Sequence, residues 1–191
     1  MKTIRCRWCD LSSPEYVKYH DEQWGVPVHD DRLLFEMLIL EGMQAGLSWL
    51  SILKKRDNFL KVFDGFEVQK VAGYGEEKVQ ALLQDAGIVR NRLKINGAIR
   101  NARIFLQIAH EYGSFDNYIW AWVDHVPLES NYTDRTDIPA ETDLSRRISK
   151  DLKKRGMTFV GPVIIYSFMQ AIGMVNDHDP DCFRRAEISA M

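Results

Sequence analysis

The residues from Leu33 to Leu40 read LLFEMLIL, and Glu41 follows them directly. A run this apolar, without the alternation of a strand, is typical of a helix that is buried on every side. Leu34, Leu38 and Glu41 follow helical spacing, so Glu41 extends the face that packs into the core. A buried carboxylate is costly unless it is hydrogen-bonded or paired with a positive charge. The partner of Glu41 is therefore the first question that this chain raises.

Two interpretations of Glu41 follow from this pattern. Its carboxylate could accept hydrogen bonds from backbone amides in the turn from Gly42 to Ser48. Alternatively, it could bind a flat ligand that carries positive charge or donates hydrogen bonds, held between aromatic walls. The spacing leaves both interpretations open. The aromatic residues that could form such walls are Trp8, Tyr16, Tyr19, Trp24 and Trp49.

Helical spacing of apolar residues recurs along nearly the whole chain, while strand-like alternation is confined to fragments. The pattern predicts an all-α fold with about eight to ten helices and one long loop from about Pro127 to Thr142. One helix is expected to include the residues from Trp49 to Phe63. No repeat or linker divides the 191 residues, which predicts a single domain. The predicted N-caps are Ser12 or Ser13, Asp30 or Asp31, and Ser48.

Composition limits the functional classes that this chain can belong to. A net charge of −2 excludes a protein that is basic overall, so any nucleic-acid surface would have to be local. No apolar run reaches the length of a membrane span, and the start MKTIRCRWCD becomes polar too early for a signal peptide. We therefore expect a cytoplasmic protein without a membrane partner. In a reducing compartment, 3 cysteines argue against a disulfide framework and leave metal binding or plain burial.

Possible metal ligands cluster toward the two ends of the chain. Cys6 and Cys9 have C-x-x-C spacing and His20 follows them, while His178 and Cys182 lie near the other end. Tetrahedral zinc sites use four such thiolates and imidazoles, and an ion that joined both ends would close nearly the whole chain into a loop. Unrelated buried thiols and surface histidines are the alternative, and the spacing leaves both open.

A catalytic zinc site of the nucleobase deaminase kind is a further alternative. The residues His20–Glu22 read HDE, which matches the H-x-E pattern of those enzymes. In that pattern the C-x-x-C pair lies downstream and follows a proline, whereas here it lies upstream without one. The order of the motifs therefore disfavours a deaminase.

A third pattern, LLQDAGIVRNRLKI at residues 82–95, combines an apolar helix end, a turn at Gly87 and a basic helix start. This arrangement is typical of a helix–hairpin–helix motif, in which amides at the start of the second helix hold a phosphate oxygen. Arg90, Arg92 and Lys94 form this basic start, and the two arginines would add positive charge at the phosphate. Any turn between two helices gives a similar pattern, and the second glycine that is usual in such hairpins is missing.

Several motifs can now be considered together: RCRW, YVKYHDEQWGVP, LFEMLILEGMQAGLSWLSILKKR, LLQDAGIVRNRLKI, KKRGMTFVGPVIIYSFMQAIGMVNDH and a closing H-x3-C. Their combination, from about Cys6 to Cys182, closely resembles the DNA-3-methyladenine glycosylase I family of bacterial repair enzymes. The resemblance implies a helix–hairpin–helix glycosylase fold with two helical lobes. It also implies hydrolysis of the N-glycosidic bond of 3-methyladenine in alkylated double-stranded DNA.

The resemblance implies one structural zinc ion (Zn2+) per chain, which ties together the terminal segments at about residues 1–25 and 175–185. Cys9 is extra relative to the family pattern, and a set of three cysteines and one histidine that included it would also satisfy zinc. The ligands that the family pattern favours are Cys6, His20, His178 and Cys182.

The resemblance also implies a base pocket and a DNA surface. Glu41 and Tyr19 would be its catalytic, hydrogen-bonding groups, and Trp49 would be a stacking wall. The further lining residues would be Trp8, Tyr16 and Trp24. The residues implied in DNA binding are Gly87, Arg90 and Arg92 in the hairpin, and Gly46, which together with Gly42 would let backbone and DNA approach closely.

The mechanism that the resemblance implies depends on the charge of the substrate. Methylation at N3 makes adenine a cation and a good leaving group, so an ionised Glu41 could attract it while aromatic walls stack on it. Related glycosylases use an aspartate after the hairpin to stabilise the oxocarbenium-like state and orient water. Neither Glu111 nor Asp116 is assigned this role, and the group that positions the water is open. The expected partner is alkylated DNA alone, bound by a monomer at the nucleoid. A zinc-stabilised domain that binds alkylated DNA without cleaving it is the main alternative.

Overall fold

The structure, a computed structural model, describes residues 3–130, 132, 134 and 137–191. Within these residues the chain forms eleven α-helices, two short 3₁₀ turns at Asp64–Phe66 and Ala121–Val123, and one pair of short strands. The strands are β1 (Leu128–Glu129) and β2 (Val175–Asn176). The helices are α1 (Pro14–Glu22), α2 (Asp31–Gln44), α3 (Trp49–Leu53), α4 (Arg56–Val62), α5 (Val68–Ala72), α6 (Glu76–Gln84), α7 (Arg92–Tyr112), α8 (Phe115–Trp120), α9 (Asp143–Lys154), α10 (Pro162–Ala171) and α11 (Phe183–Ser189).

Helix α2 is the central element of the fold, and its burial confirms the prediction from its apolar run. Every residue from Leu34 to Met43 is buried, and the helix packs against α3, α7, α8 and α10. Glu36, which is 1% exposed, is neutralised by Arg56, whose Nε lies 2.7 Å from its Oε1. A second buried glutamate on this helix, Glu41, forms no salt bridge with any residue that the structure describes.

The predicted N-caps are confirmed, with the alternatives resolved. Ser13 accepts a hydrogen bond from the Tyr16 amide, and Asp30 from the Leu33 amide. Ser48 caps the helix that begins at Trp49. These caps fix where α1, α2 and α3 begin.

The prediction of a single helix from Trp49 to Phe63 is wrong, because the chain forms α3 and α4 with a turn between them. At Lys55 the backbone φ is −103°, and its amide donates to the Ile52 carbonyl three residues back. The Lys55 ammonium also donates to the carbonyl oxygen of Ala86, 2.9 Å away. These bonds turn the chain where the apolar spacing alone suggests continuity.

The fold is mostly helical, and one short strand pair is the part that the all-α prediction did not include. The loop expected from about Pro127 to Thr142 contains β1, which pairs in parallel with β2, Leu128 lying opposite Val175. Two-residue strands are too short to show alternation in the sequence. The eleven helices of the described residues exceed the expected eight to ten because short ones such as α5 give a weak periodic signal.

The two ends of the chain lie together. The Phe183 amide donates to the Ile4 carbonyl over 3.0 Å, and the Arg7 amide donates to Oδ2 of Asp179 over 2.7 Å. These contacts place residues 4–7 against the segment that follows β2. Within the described residues, no helix is both long enough and apolar enough to cross a membrane.

Candidate functional site

A cavity of about 320 Å³ opens between α1, the end of α2, the start of α3 and one face of α10. All six residues that were expected to form a base pocket line it, namely Trp8, Tyr16, Tyr19, Trp24, Glu41 and Trp49. Sequence reasoning missed the other lining residues, which are Gln44, Ile138, Ser167, Gln170 and Asp177. Gln44 could have been found, since it lies three residues after Glu41 on the same helix.

Local structure explains how these side chains converge. Tyr16 and Tyr19 are three residues apart and share one face of α1. Glu41 lies in the last turn of α2, and Trp49 begins α3. Between them the chain reverses at Gly46, whose φ of +79° favours glycine.

The carboxylate of Glu41 has no partner of its own. The residue is 4% exposed, and across residues 3–130, 132, 134 and 137–191 nothing forms a hydrogen bond or an ion pair with it. Amides in the turn that follows donate elsewhere, Ala45 to the Gly42 carbonyl and Leu47 to the Gln44 carbonyl. The structure therefore does not support the first interpretation of Glu41. Burial raises the pKa of Glu41 to about 8, so the free protein holds it mostly protonated at neutral pH.

Tyr19 supplies a neutral hydroxyl beside Glu41. Burial, and then the charge of Glu41, raise the pKa of the Tyr19 phenol well above its usual range. Its ring lies 5.4 Å from that of Trp49, at an angle of 53°. The phenol can therefore donate or accept hydrogen bonds at neutral pH without carrying charge.

Trp8 and Trp24 connect the cavity to a second site. The Trp8 ring lies 5.4 Å from that of Tyr16 and 5.3 Å from that of His20. The Trp24 ring lies 4.6 Å from that of His178. The aromatic walls of the cavity therefore rest directly on two of the predicted metal ligands.

The second site is a buried cluster that could hold a metal ion. One potential ligand atom from each member lies within 4.8 Å of the others, and the members are Cys6, His20, His178 and Cys182. Individual distances are 3.3 Å from Cys6 Sγ to His178 Nδ1 and 3.4 Å from Cys182 Sγ to His20 Nε2. Tetrahedral zinc with its usual bond lengths separates sulfur and nitrogen ligands by about 3.6 Å. The donor set and its spacing fit such an ion.

The histidines of the cluster are oriented by outer contacts. Nδ1 of His20 lies 2.8 Å from Oδ1 of Asp21, and the same carboxylate accepts a hydrogen bond from Arg5. Nε2 of His178 lies 3.1 Å from the Trp24 carbonyl oxygen. Such partners fix the ring so that the other nitrogen faces a metal. Cys9 is buried but lies outside the cluster, so the alternative ligand set that includes it is not supported.

The predicted hairpin lies between α6 and α7, but its contacts differ from the expectation. Oδ1 of Asn91 accepts from the Leu93 and Lys94 amides over 3.0 and 3.2 Å, so these amides are not free for phosphate. Arg92 pairs with Glu76 at 2.7 Å, whereas Arg90 is exposed. A phosphate at this hairpin would therefore meet Arg90 and the turn itself instead of the first amides of α7.

Two further residues of this region have close contacts inside the protein. Lys94, which belongs to the predicted basic helix start, is buried and donates to carbonyl oxygens at the end of α2. Gly42 was expected to let backbone and DNA approach closely. A Cβ there would lie 3.3 Å from the carbonyl oxygen of Phe159, so backbone does approach it closely, and an approach of DNA stays a prediction. Gly46 has open space around it, and its positive φ is what requires glycine.

Neither of the two acidic residues that were left unassigned enters the cavity. Glu111 pairs with Arg155, with an oxygen–nitrogen distance of 2.6 Å. Asp116 lies 2.8 Å from Nδ1 of His29. These partners agree with leaving both residues without a catalytic role.

Comparisons with known proteins give the family. The profile of the family described as methyladenine glycosylase matches residues 8–185. DNA-3-methyladenine glycosylase 1 of Escherichia coli (strain K12) is 49% identical over 178 residues, covering 93% of this chain and 95% of the relative. A crystal structure of 3-methyladenine DNA glycosylase I has a TM-score of 0.91 at 47% identity, covering 94% of this chain and 98% of that one. The structure of a variant of 3-methyladenine DNA glycosylase I in complex with 3-methyladenine has a TM-score of 0.91 at 36% identity. The match covers 95% of this chain and 97% of that one. The chain therefore belongs to the methyladenine glycosylase family.

Proposed function

We propose that the aromatic cavity receives a 3-methyladenine base flipped out of alkylated DNA, and that Glu41 and Tyr19 recognise it and promote its release. As a member of this family, the chain is a base-excision glycosylase that hydrolyses the N-glycosidic bond of 3-methyladenine in alkylated DNA. The observation that carries the assignment of the site is Glu41, a buried carboxylate without a partner among the described residues, in a cavity walled by aromatic rings.

The charge of the damaged base supplies the missing partner. Adenine methylated at N3 is a cation while it is attached to the sugar, and its departure leaves a neutral base. A cationic ring in the cavity favours the ionised form of Glu41, and the rings of Trp49 and Trp8 add stacking and cation–π attraction. An undamaged adenine brings no charge and leaves the cost of ionising Glu41 uncompensated. Charge and shape together therefore select the lesion.

Tyr19 has a distinct part in this account. Its neutral phenol beside Glu41 donates or accepts one hydrogen bond at the edge of the base. Trp49 forms one wall, and Trp8, Tyr16 and Trp24 complete the lining. Because the base is already a cation, release needs little protonation by the protein.

Release of the free base is the experiment that tests this function. The purified protein is incubated with duplex DNA methylated at N3 of adenine, and the released bases are separated and quantified. We expect free 3-methyladenine and an abasic site, with no release of unmodified adenine. A protein that bound the methylated duplex and released no base at high concentration would instead be a binding module for alkylated DNA.

We propose that Cys6, His20, His178 and Cys182 hold one zinc ion. Two thiolates and two imidazoles with tetrahedral spacing suit zinc, and four protein ligands leave no position for a water molecule. When bound, zinc would cross-link the ends of the chain and supply no reactive group. The cluster instead supports the cavity, because the rings of Trp8 and Trp24 pack against its histidines.

We propose that the hairpin between α6 and α7 is a helix–hairpin–helix element that binds the DNA backbone. The exposed Arg90 and the turn from Gly87 would contact phosphate, and Arg92 could exchange Glu76 for a phosphate oxygen. Gly46, exposed at the turn between α2 and α3, would lie close to the DNA at the mouth of the cavity. With a net charge of −2, DNA affinity rests on such local contacts.

The proposed setting is a single domain of two helical lobes that acts as a monomer on double-stranded DNA in the cytoplasm. One continuous cluster of buried side chains spans the described helices, which supports a single domain. The proposal requires neither a protein partner nor a membrane.

A further inference from the structure

Two cationic side chains on α7 donate hydrogen bonds to carbonyl oxygens at the C-terminal ends of other helices. The ammonium of Lys94, a residue that is 8% exposed, donates to the Met43 carbonyl over 2.8 Å and to the Ala45 carbonyl over 2.7 Å. Farther along α7, Nε of the exposed Arg103 donates to the Ala72 carbonyl at the end of α5 over 2.8 Å. Both contacts place a positive charge where a helix leaves carbonyl oxygens unpaired.

The two carbonyls that Lys94 holds lie between the proposed recognition residues. Met43 and Ala45 follow Glu41 and precede the left-handed turn at Gly46, after which Ser48 caps the helix that begins at Trp49. Within the part of the chain that the structure describes, Lys94 forms no salt bridge. A buried cation without a carboxylate is costly, and burial lowers the pKa of Lys94. The two hydrogen bonds from Lys94 to the end of α2 therefore stabilise its ammonium group in the buried position.

The same helix begins at the hairpin. Lys94 lies in the first turn of α7, three residues after the N-cap Asn91, and its own amide donates to Asn91 Oδ1 over 3.2 Å. The side chain of Lys94 thus joins the hairpin end of α7 to the segment that carries Glu41 and Trp49. A small void lies beside it, lined in part by Gly42, Ala98 and Asn101.

A second contact, at Phe159, stabilises the interface between α2 and α7, which is called the seam below. Phe159 has a φ of +56°, a strained value for a bulky residue, and its side chain packs against Gly42 on α2 and Gly97 on α7. Asn101 on α7 exchanges two hydrogen bonds, of 2.8 and 2.9 Å, with the backbone of Thr158. The seam is therefore held both at Phe159 and at Lys94, and Lys94 is the contact at the cavity end.

We propose that Lys94 is a positioning residue that holds the Glu41–Trp49 segment in register with the DNA-binding hairpin. This inference rests on the proposed function, because it concerns how the flipped base and the bound backbone are aligned. Glu41 and Trp49 can form a cavity without Lys94, since α1 and α3 pack against each other independently of it. The hairpin can likewise bind phosphate without it. Lys94 ensures that both engage one nucleotide at the same time, so its loss lowers the rate of base release from bound DNA.

The test replaces Lys94 by methionine, which has similar length and no charge, and uses Arg103→Met as the matched control. Four quantities are measured for each variant: kcat and KM for release of 3-methyladenine from methylated duplex, affinity for the free base by tryptophan fluorescence, and Tm. For Lys94→Met we expect kcat to fall by about tenfold to a hundredfold, the usual effect of a misplacement on the order of 1 Å. We expect KM for DNA and the affinity for the free base to change by less than about threefold, which corresponds to under 1 kcal/mol. The reason is that the hairpin and the cavity each keep their own contacts in this variant. Arg103→Met should keep the wild-type kcat.

The outcomes separate a positioning role from a purely structural one. An unchanged kcat in Lys94→Met would overturn the proposal, as would a loss of free-base affinity in the same proportion as kcat. If Lys94→Met does not fold, Lys94→Gln is used, which retains a donor with shorter reach. Its kcat should then fall while free-base affinity is kept, and a wild-type kcat would again overturn the proposal. A wild-type protein that releases no base would overturn the proposed function, whereas an active wild type with an equally active Lys94→Met excludes only the role of Lys94.

Discussion

Replacing Glu41 by glutamine lowers the rate of 3-methyladenine release by about 100- to 1000-fold, the effect expected when one preorganised electrostatic contact is lost from an active site. Glutamine has nearly the same shape but cannot carry the negative charge that, in our proposal, pairs with the methylated base. The measurement is single-turnover release of 3-methyladenine from methylated duplex at saturating protein. The folded structure should persist, because in the free protein Glu41 is mostly neutral at pH 7 already, its pKa being raised to about 8.

The matched control is Glu36→Gln on the same helix. Glu36 is buried like Glu41, but it pairs with Arg56 and does not line the cavity. We expect this variant to lose stability, since Arg56 loses its carboxylate, and to keep the wild-type rate of base release. Equal activity losses in both variants would show that the effect of Glu41 is structural.

The dependence of the rate on pH gives a second check on Glu41. In the free protein its pKa is raised to about 8, and the ionised form is the one that attracts the cationic base. For wild type, kcat/KM should therefore rise with pH and level off above about 8, since this ratio reports ionisations of the free enzyme. The Glu41→Gln variant should lack this rise. A wild-type profile that is flat between pH 5 and 9 would contradict the account.

Removing the proposed zinc ion should lower both stability and activity by large amounts. Cys6 and His178 are 172 positions apart, so an ion between them closes nearly the whole chain into one loop. By the relation used for covalent cross-links, closing a loop of that length is worth about 5 kcal/mol. In a chain of this size such a loss lowers Tm by about 10–20 °C. Base release should fall with it, because Trp8 and Trp24 rest on the histidine ligands.

A pair of cysteine variants tests this prediction. Cys182→Ser removes a ligand and should abolish metal binding, whereas Cys9→Ser should keep about one zinc per chain by elemental analysis, as expected of a structural site. Both cysteines are buried, so the comparison controls for a polar group in the interior. Loss of zinc in Cys9→Ser, or wild-type protein with no zinc before any exposure to chelator, would contradict the proposed ligand set.

Much of the site could be predicted because it depends on local spacing. Helical periodicity alone places Glu41 on a buried face, and a separation of three residues places Tyr16 and Tyr19 together on α1. The structure brings these residues into one cavity with Trp49, as expected. Their roles in recognition and release stay predictions until the variants are measured.

Other features depend on tertiary packing that no local pattern encodes. Ser167, Gln170 and Asp177 reach the cavity because of how α10 and the segment after β2 pack against the rest of the fold. The partners of Lys94 are not visible in the sequence, because only the approach of α7 to the end of α2 gives it two carbonyl oxygens. The pairing of β1 with β2 joins residues that are far apart in the chain and too few to alternate.

The central claim is that Glu41 lacks a partner until a positively charged base arrives, and its pKa tests that claim most directly. Carbon-13 NMR of protein labelled at the glutamate carboxyl groups can follow the titration, with Glu41→Gln identifying the resonance. The account predicts a pKa of about 8 in the free protein, because burial disfavours the charged form. It also predicts that the pKa falls when a cationic methylated purine fills the cavity. A free-protein pKa near the ordinary value of about 4.5 would mean that Glu41 already has a partner, and it would contradict the account.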